Sequence, residues 1–186
     1  MTPIKKEHDL YYLDICKTVA KRSKCLSRHI GAVIVKDDSI ISTGFNGPAR
    51  GIPHCSHRLF FDEDLLKRFS TLLDKIYTEE TILDTCPRYL LGAKSGTMTD
   101  ICPAAHAERN AIVQAAKNGV STKDAKMYMD CNIPCFECLK EIINSGIREV
   151  ICTSLDVYDN MTKYTLQNAK ELIIRTYDGQ YYKRWK

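Results

Sequence analysis

The feature that most constrains the fold is a pair of short motifs that supply metal ligands. His106-Ala107-Glu108 is followed downstream by Pro134-Cys135-Phe136-Glu137-Cys138. An imidazole and two thiolates are good zinc ligands, and three protein ligands leave a fourth coordination position open for water. The sequence therefore predicts a zinc site formed by His106, Cys135 and Cys138. Glu108 is predicted to lie beside the metal without binding it, as a proton carrier.

Both motifs stand where helices are expected to begin. The alanine-rich segment 105–118 has a helical period, and Pro134 precedes a second helix that ends at Gly146. Cys135 and Cys138 are three positions apart, so their sulfurs face the same side of that helix. Two helix starts that follow adjacent strands can meet at one edge of a sheet, which is the geometry that three shared ligands require.

The remaining pattern predicts a sheet covered by helices. A helix is expected over residues 7–22, and the first two strands form a hairpin around Asp37-Asp38-Ser39. Strands are predicted at residues 30–35, 40–45, 125–131, 149–153 and 172–176. A hairpin followed by strands that alternate with helices predicts an α/β fold, a three-layer α/β/α sandwich on one mixed five-stranded sheet.

The composition and net charge of the chain limit the classes of protein to which it can belong. The chain has 186 residues, 44% hydrophobic and 27% charged, as in ordinary soluble domains. No apolar run is long enough for a bilayer, and the charged start lacks a signal-peptide core, so we expect a cytoplasmic protein without a membrane partner. The net charge of +4 suits an anionic small molecule and is too small to predict a nucleic-acid surface.

The chain is expected to be a single domain, 1–186, with a loop-rich insertion over about residues 55–104. Within this region only residues 60–77 have a clear helical pattern. A long irregular segment inside a compact domain is usually functional or anchored. The nine cysteines, odd in number and without an export signal, predict metal ligands and buried thiols rather than disulfides.

Five stretches together resemble a known family. They are Cys25 with Gly31-Ala32-Val33-Ile34-Val35; Gly44-Phe45-Asn46-Gly47-Pro48; Cys102; His106-Ala107-Glu108-Arg109-Asn110-Ala111-Ile112; and Pro134-Cys135-Phe136-Glu137-Cys138. The chain resembles the deoxycytidylate (dCMP) deaminases of the cytidine deaminase superfamily, both phage and bacterial members. The resemblance covers roughly residues 8–176 and is loose over 56–101. It implies the cytidine deaminase fold and zinc-dependent hydrolysis of dCMP to dUMP and ammonia, which supplies dUMP for thymidylate synthesis.

The resemblance also implies roles for individual residues. Glu108 matches the proton shuttle, and His106, Cys135 and Cys138 match the zinc ligands. Asn46 matches a residue that hydrogen-bonds the sugar. The substrate-binding set implied in this way is Arg28, Asn46, Ala107 and Tyr158. For Arg28, expected near the 5′-phosphate, and Tyr158, the alternatives of a surface arginine and a packed tyrosine stay open.

Many relatives are hexamers activated by dCTP and inhibited by dTTP. The resemblance therefore implies a homo-oligomer with a nucleotide effector site, with Mg²⁺ accompanying the effector. The residues expected there are Phe45, Asn46, Gly47 and Lys117. Relatives usually carry tyrosine where this chain has Phe45, so one hydroxyl donor is lost.

A second, structural zinc is also implied. Cys25 and Cys55 match ligand positions of phage relatives, and Cys86 and Cys102 are available to complete a four-cysteine site. Such a site would anchor the irregular segment. His54 and His57 are nearby substitutes for these ligands, and the further alternative is four reduced, buried or scattered thiols without metal.

Two other functions stay open. One is deamination of free cytidine or of adenosine in RNA, although RNA-acting relatives need stacking and basic surfaces that this mildly charged chain lacks, so no nucleic-acid partner is expected. The other is a closed zinc site in a non-catalytic binding module. That module would need a fourth ligand and would leave Glu108 without a role.

Overall fold

The computed structural model describes residues 3–58, 60–73, 83–94, 97–157 and 159–183. The chain divides into two compact units. The first comprises residues 1–23, 30–46 and 106–186, and the second comprises residues 24–29 and 47–105. The prediction of one domain with an insertion over 55–104 stays a prediction.

The elements are numbered along the chain. The helices are α1 Pro3–Ala20, α2 Cys55–Arg58, α3 Glu63–Leu73, α4 Pro87–Leu90, α5 Ala107–Lys117, α6 Phe136–Asn144 and α7 Asn160–Asn168, with a 3-10 turn at Thr99–Ile101. The strands are β1 Gly31–Lys36, β2 Ser39–Phe45, β3 Gly47–Pro48, β4 Ala104–Ala105, β5 Lys126–Met129, β6 Glu149–Cys152 and β7 Ile173–Thr176. None of the described helices combines the length and the apolar character that spanning a membrane requires.

The first unit contains a mixed sheet of the order β2-β1-β5-β6-β7. The β1–β2 and β1–β5 pairs are antiparallel, whereas β5–β6 and β6–β7 are parallel. Asp37 and Asp38 join β1 to β2 with φ values of 49° and 56°, as the tight two-residue turn of a hairpin requires. Each of the five predicted strands is present.

Side chains alternate across this sheet. On β1, Ala32 and Ile34 belong to one buried cluster, whereas Val33 and Val35 belong to another. The first cluster includes residues of α5, α6 and α7, and the second includes residues of α1. The sheet therefore lies between two helical layers, and the predicted three-layer α/β/α sandwich on a mixed five-stranded sheet is confirmed.

A network of buried charges ties α1 to the parallel strands. Arg175 on β7 is fully buried and forms ion pairs with Asp9 of α1, at 2.6 Å, and Glu149 of β6, at 2.5 Å. The Tyr128 hydroxyl on β5 donates a hydrogen bond to Asp9, at 3.0 Å. Buried charges are tolerated when they are paired and hydrogen-bonded, as these are.

The described part of the second unit contains the eleven-residue helix α3 together with helices and strands of two to four residues. Its strands β3 and β4 pair antiparallel. The helix expected within 60–77 appears as Glu63–Leu73, whereas residues 74–77 lie outside the described residues. Asp62 accepts a hydrogen bond from the Leu65 amide, at 2.9 Å, which caps α3. Leu65 and Phe69 are buried on this helix.

Gly44 allows α5 to lie directly on β2. A Cβ atom at Gly44 would lie 2.3 Å from the carbonyl oxygen of Ala107 and 2.3 Å from the amide nitrogen of Ala111. Two polar contacts hold the same surfaces together. The Ser42 hydroxyl donates to the Ala111 carbonyl, and the side-chain Nδ2 of Asn110 donates to the Phe45 carbonyl, both at 2.7 Å. The start of α5 is therefore positioned by backbone-to-backbone contact with β2.

Gly44→Ala is expected to lower the free energy of unfolding by about 1–3 kcal/mol, because the added methyl group overlaps backbone atoms that cannot rotate away. Thr43→Ala is the matched control on the same strand, since Thr43 is exposed; its cost is expected to stay below about 1 kcal/mol. Urea unfolding measures both. Equal stability of Gly44→Ala and the wild type would show that α5 does not depend on this close approach.

Candidate metal centre and active site

The two ligand motifs occupy equivalent positions at two helix starts in the first unit. His106 immediately precedes α5 and has extended backbone angles, φ −73° and ψ 158°. Cys135 immediately precedes α6 with φ −65° and ψ 164°, and Cys138 lies in the first turn. Both are N-cap positions, where unpaired amides and the helix dipole favour negative charge. The local sequence thus directs both motifs toward anion-stabilising helix ends.

The three side chains meet at one point. His106 Nδ1 lies 3.4 Å from Cys135 Sγ and 3.4 Å from Cys138 Sγ. Zinc bond lengths of about 2.0–2.1 Å to nitrogen and about 2.3 Å to sulfur, at a tetrahedral angle, put these atoms about 3.5 Å apart. Among the described residues, this is the one group of three or more such side chains with ligand atoms within 4.8 Å of one another. Donor chemistry and spacing both fit Zn²⁺.

The two thiols share charge unequally with each other. A hydrogen bond from the Cys138 thiol, together with one from His106, lowers the pKa of Cys135 to about 4. The pKa of Cys138 is raised, because it donates that hydrogen bond to Cys135 and is buried. The hydrogen bond with Cys135 also raises the pKa of His106. Cys138 therefore keeps its proton, and metal binding by its thiolate would release that proton.

Glu108 lies in the first turn of α5 and is almost completely buried, with 4% of its surface exposed. Burial raises the pKa of its carboxyl group, whereas His106 and a backbone hydrogen bond act in the opposite direction. Carboxyl groups with raised pKa values are suited to accept and return a proton near neutral pH. The position and environment of Glu108 therefore suit a proton carrier next to the ligands.

An ion pair that the sequence analysis did not anticipate joins the two ligand-bearing helices. Arg109 on α5 contacts Glu141 on α6, with Nε at 2.8 Å and Nη2 at 2.5 Å from Oε1. Arg109 stands three residues after His106, and Glu141 stands three residues after Cys138. The pair therefore lies one turn beyond the ligands on each helix. A basic residue three positions after His106 and an acidic residue three positions after Cys138 are the sequence signal that could have identified this ion pair.

Two predicted substrate-binding residues lie in the same unit. Asn46 directly follows β2 and is buried; its Oδ1 accepts a hydrogen bond from the Ile30 amide, at 2.8 Å. Its backbone carbonyl accepts a hydrogen bond from the Ser23 hydroxyl, at 2.8 Å. Ala107, the first residue of α5, is fully buried. Both positions are fixed by the fold, and their roles stay predictions.

The other predicted residues are distributed more widely. Arg28 is exposed in the 24–29 segment of the second unit, and Tyr158 lies outside the described residues. Among the predicted effector residues, Phe45 is half-buried at the end of β2. Gly47 belongs to the second unit, and Lys117 is the exposed last residue of α5. The effector role of these residues stays a prediction.

The four cysteines proposed for a second metal site all belong to the second unit. Burial raises the pKa of Cys55 to about 11, with further contributions from Cys102, Cys86 and Cys25. Cys55 therefore lies near each of the other three thiols. No three of their sulfurs, which all belong to described residues, lie within 4.8 Å of one another, whereas the three ligand atoms of the first site do.

Two comparisons with known sequences bear on this site. The family described as "Cytidine and deoxycytidylate deaminase zinc-binding region" matches residues 6–154. The deoxycytidylate deaminase of Enterobacteria phage T2 is 36% identical over 149 residues, which cover 77% of this chain and 79% of the relative. The deoxycytidylate deaminase of Schizosaccharomyces pombe is 30% identical over 161 residues, which cover 87% of this chain. The matched region is 41% of the length of that yeast relative.

A solved structure shares the fold. The dCMP deaminase of cyanophage S-TIM5, determined in complex with dCMP and dUMP, is similar with a TM-score of 0.60 at 22% sequence identity. The similarity covers 95% of this chain and 98% of that one. The family match spans most of the chain and includes all three ligand positions and Glu108. The chain therefore belongs to the cytidine and deoxycytidylate deaminase family.

Proposed function

We propose that the chain is a zinc-dependent hydrolase that converts dCMP to dUMP and ammonia. The observation that carries the proposal is the single point at which His106 Nδ1 lies 3.4 Å from two cysteine sulfurs, with a buried glutamate in the adjoining helical turn. A purely structural zinc site has no use for a buried carboxyl group of raised pKa beside its ligands. The substrate is inferred from relatives that are named deoxycytidylate deaminases.

The four residues of the candidate centre have two proposed roles, metal binding and proton transfer. His106, Cys135 and Cys138 would hold the Zn²⁺, which supplies the Lewis acidity that lowers the pKa of a water molecule to about 7. Glu108 accepts a proton from the attacking water and passes it to N3 of the cytosine ring. After the water oxygen has added to C4, Glu108 takes the remaining proton from the C4 hydroxyl group and passes it to the amino group at C4. Ammonia then leaves and uracil remains, so that one water is consumed for each amine released.

The remaining substrate contacts follow from the residues' chemistry. The Asn46 amide is proposed to hydrogen-bond the sugar, and the Arg28 guanidinium is proposed to pair with the 5′-phosphate. Ala107 lies between the ligand His106 and Glu108 and is proposed to contact the base through its backbone. Tyr158 is the further candidate. The product dUMP would serve thymidylate synthesis in the cytoplasm.

Regulation by nucleotides is a second part of the proposal. We infer that dCTP with Mg²⁺ activates the enzyme, that dTTP inhibits it, and that the active form is a homo-hexamer. The family resemblance supports this, and Phe45, Asn46, Gly47 and Lys117 are the proposed effector contacts. Phe45 offers no side-chain hydroxyl, so recognition at this position would depend on packing and on backbone groups.

A structural Zn²⁺ held by Cys25, Cys55, Cys86 and Cys102 is the third part of the proposal. Cys55 lies near each of the other three thiols within the second unit, and a four-cysteine set is a common structural zinc site. The sulfurs need to approach one another further to share one ion. Because each thiol comes from a different stretch of the unit, metal binding would cross-link those stretches.

Glu108→Gln is expected to lower turnover of dCMP by about 10²–10⁴-fold, because the amide cannot carry the proton. Zinc content and dCMP affinity are expected to stay at wild-type values. Glu137→Gln is the matched control, since Glu137 is an exposed acidic residue of α6 that pairs with Lys140. Ammonia release and dUMP formation measure turnover. If Glu108→Gln turns over dCMP at the wild-type rate, Glu108 is not the proton carrier.

The wild-type assay also separates the alternatives. Turnover of cytidine or of adenosine in RNA, without turnover of dCMP, would assign another substrate of the same chemistry. Bound zinc without turnover of any of these would indicate a binding module.

Activation by dCTP is tested in the same assay at subsaturating dCMP. A turnover rate that rises when dCTP and Mg²⁺ are added, and falls when dTTP is added, is the expected result. A turnover rate that changes with neither nucleotide would contradict the proposed regulation and would not contradict the deaminase activity.

Metal analysis of the purified chain is expected to find two zinc ions. Cys55→Ser should retain one and unfold at a lower temperature, because the cross-link in the second unit is lost. Cys131→Ser is the control and should retain two, since Cys131 belongs to the first unit. A single zinc in the wild type, or two in Cys55→Ser, would contradict the four-cysteine site.

A further inference from the structure

The second unit contains a small pocket with a strongly cationic lining. Its volume is about 110 Å³, and its walls include Ser27, Arg28, Arg88, Tyr89 and Lys94. Three of these side chains carry a positive charge, and two carry hydroxyl groups. No carboxylate is present among the described residues that line it. A concave surface of one charge sign concentrates ligands of the opposite sign.

The fold fixes one wall of this pocket. Arg88 lies on α4, and its Nε donates a hydrogen bond to the Thr97 carbonyl, at 2.9 Å. Its Nη2 also contacts the Lys94 carbonyl, at 3.4 Å. The Ala93 amide donates to the Arg88 carbonyl, at 2.8 Å, which closes the turn between α4 and Lys94. These contacts fix the guanidinium plane next to the base of the Lys94 side chain.

Part of the donor capacity of this wall stays unused. Among the described residues, no acceptor binds Nη1 of Arg88 or the Lys94 ammonium group, and neither side chain forms an ion pair. Arginine and lysine side chains offer only donors, so a ligand for them must bring acceptor atoms. Neighbouring cations also repel one another until an anion lies between them.

The volume of the pocket limits the size of the anion that it can bind. Pockets that enclose a whole drug-sized ligand have volumes of about 300–1,000 Å³, several times the 110 Å³ here. The pocket therefore accommodates one small group rather than a complete nucleotide. A phosphate monoester end supplies three acceptor oxygens and close to two negative charges in such a volume.

We propose that this pocket binds the terminal phosphate group of a phosphate monoester, with Arg88 and Lys94 as donors that the sequence motifs did not identify. The inference rests on the proposed function where the monoester is dCMP, because Arg28 is the residue proposed to meet its 5′-phosphate. The same chemistry is offered by the phosphate of a separate nucleotide. The pocket itself is defined by residues of the second unit alone.

The experiment measures binding of inorganic phosphate to the zinc-loaded protein by calorimetry, at constant ionic strength set with chloride. Lys94→Gln is expected to weaken phosphate binding by about five-fold or more, and Arg88→Gln by about ten-fold or more, since charge-assisted hydrogen bonds are lost. Lys67→Gln is the matched control, because Lys67 is an exposed lysine of α3 in the same unit, and should leave binding unchanged.

Lys94→Gln keeps the proposal testable if Arg88→Gln disturbs the turn, since the Lys94 ammonium group makes no described contact. Phosphate binding by Lys94→Gln at wild-type strength, or no phosphate binding by the wild type, overturns the proposal. Neither result depends on catalysis, so failure of the deaminase assay and failure of the pocket are distinguishable.

Kinetics with two substrates then identify the source of the phosphate. If the variants raise KM for dCMP and leave KM for 2′-deoxycytidine unchanged, the pocket holds the substrate's 5′-phosphate. If phosphate affinity falls and both KM values stay constant, the pocket holds the phosphate of a different nucleotide. Both results support an anion site at Arg88 and Lys94.

Discussion

The convergence of one imidazole nitrogen and two sulfurs at 3.4 Å depends on two helix starts being held in register. The start of α5 is set from one side by direct contact with the backbone of β2 at Gly44. Its distance from α6 is bridged by the Arg109–Glu141 ion pair, one turn beyond the ligands. A displacement of about 1 Å at either helix would separate ligands whose bonds tolerate only a few tenths of an ångström. The rest of the first unit serves this alignment.

On the opposite face of the sheet, buried ion pairs hold the helix α1 in place. Arg175 forms ion pairs with Asp9 and Glu149, and the Tyr128 hydroxyl donates a hydrogen bond to Asp9. The helix α1 is therefore attached to the sheet through charges as well as through apolar packing. Such a cluster gains little net stability over an apolar core, because desolvation offsets most of the attraction. Its effect is directional, since the partners satisfy one another only when α1, β6 and β7 are in their observed arrangement. The layer behind the sheet is thereby fixed in place.

The described part of the second unit contains two groups of reactive or charged side chains. Apart from the eleven-residue α3, its described helices and strands are two to four residues long, yet three thiols lie near that of Cys55 and three cations line one pocket. Cys86 belongs to both sets, because it is one of the thiols near Cys55 and also lines the pocket. α4 begins directly after Cys86 and carries Arg88. A metal ion at the cysteines would therefore fix the wall on which the proposed phosphate donors stand.

Local pattern predicts the strands, the arrangement of the layers and the four residues of the candidate centre. Periodicity reports which side chains face a core, and the spacing of His106, Glu108, Cys135 and Cys138 reports a shared chemistry. Other features are seen in the folded chain: the contact at Gly44, the Arg109–Glu141 and Asp9–Arg175 pairs, and the shared pocket of Arg28, Arg88 and Lys94. The physical reason is that these contacts join residues far apart in the chain. Apart from the matching offsets of Arg109 and Glu141 from the two motifs, their pairing follows from packed elements and has no signature in local pattern.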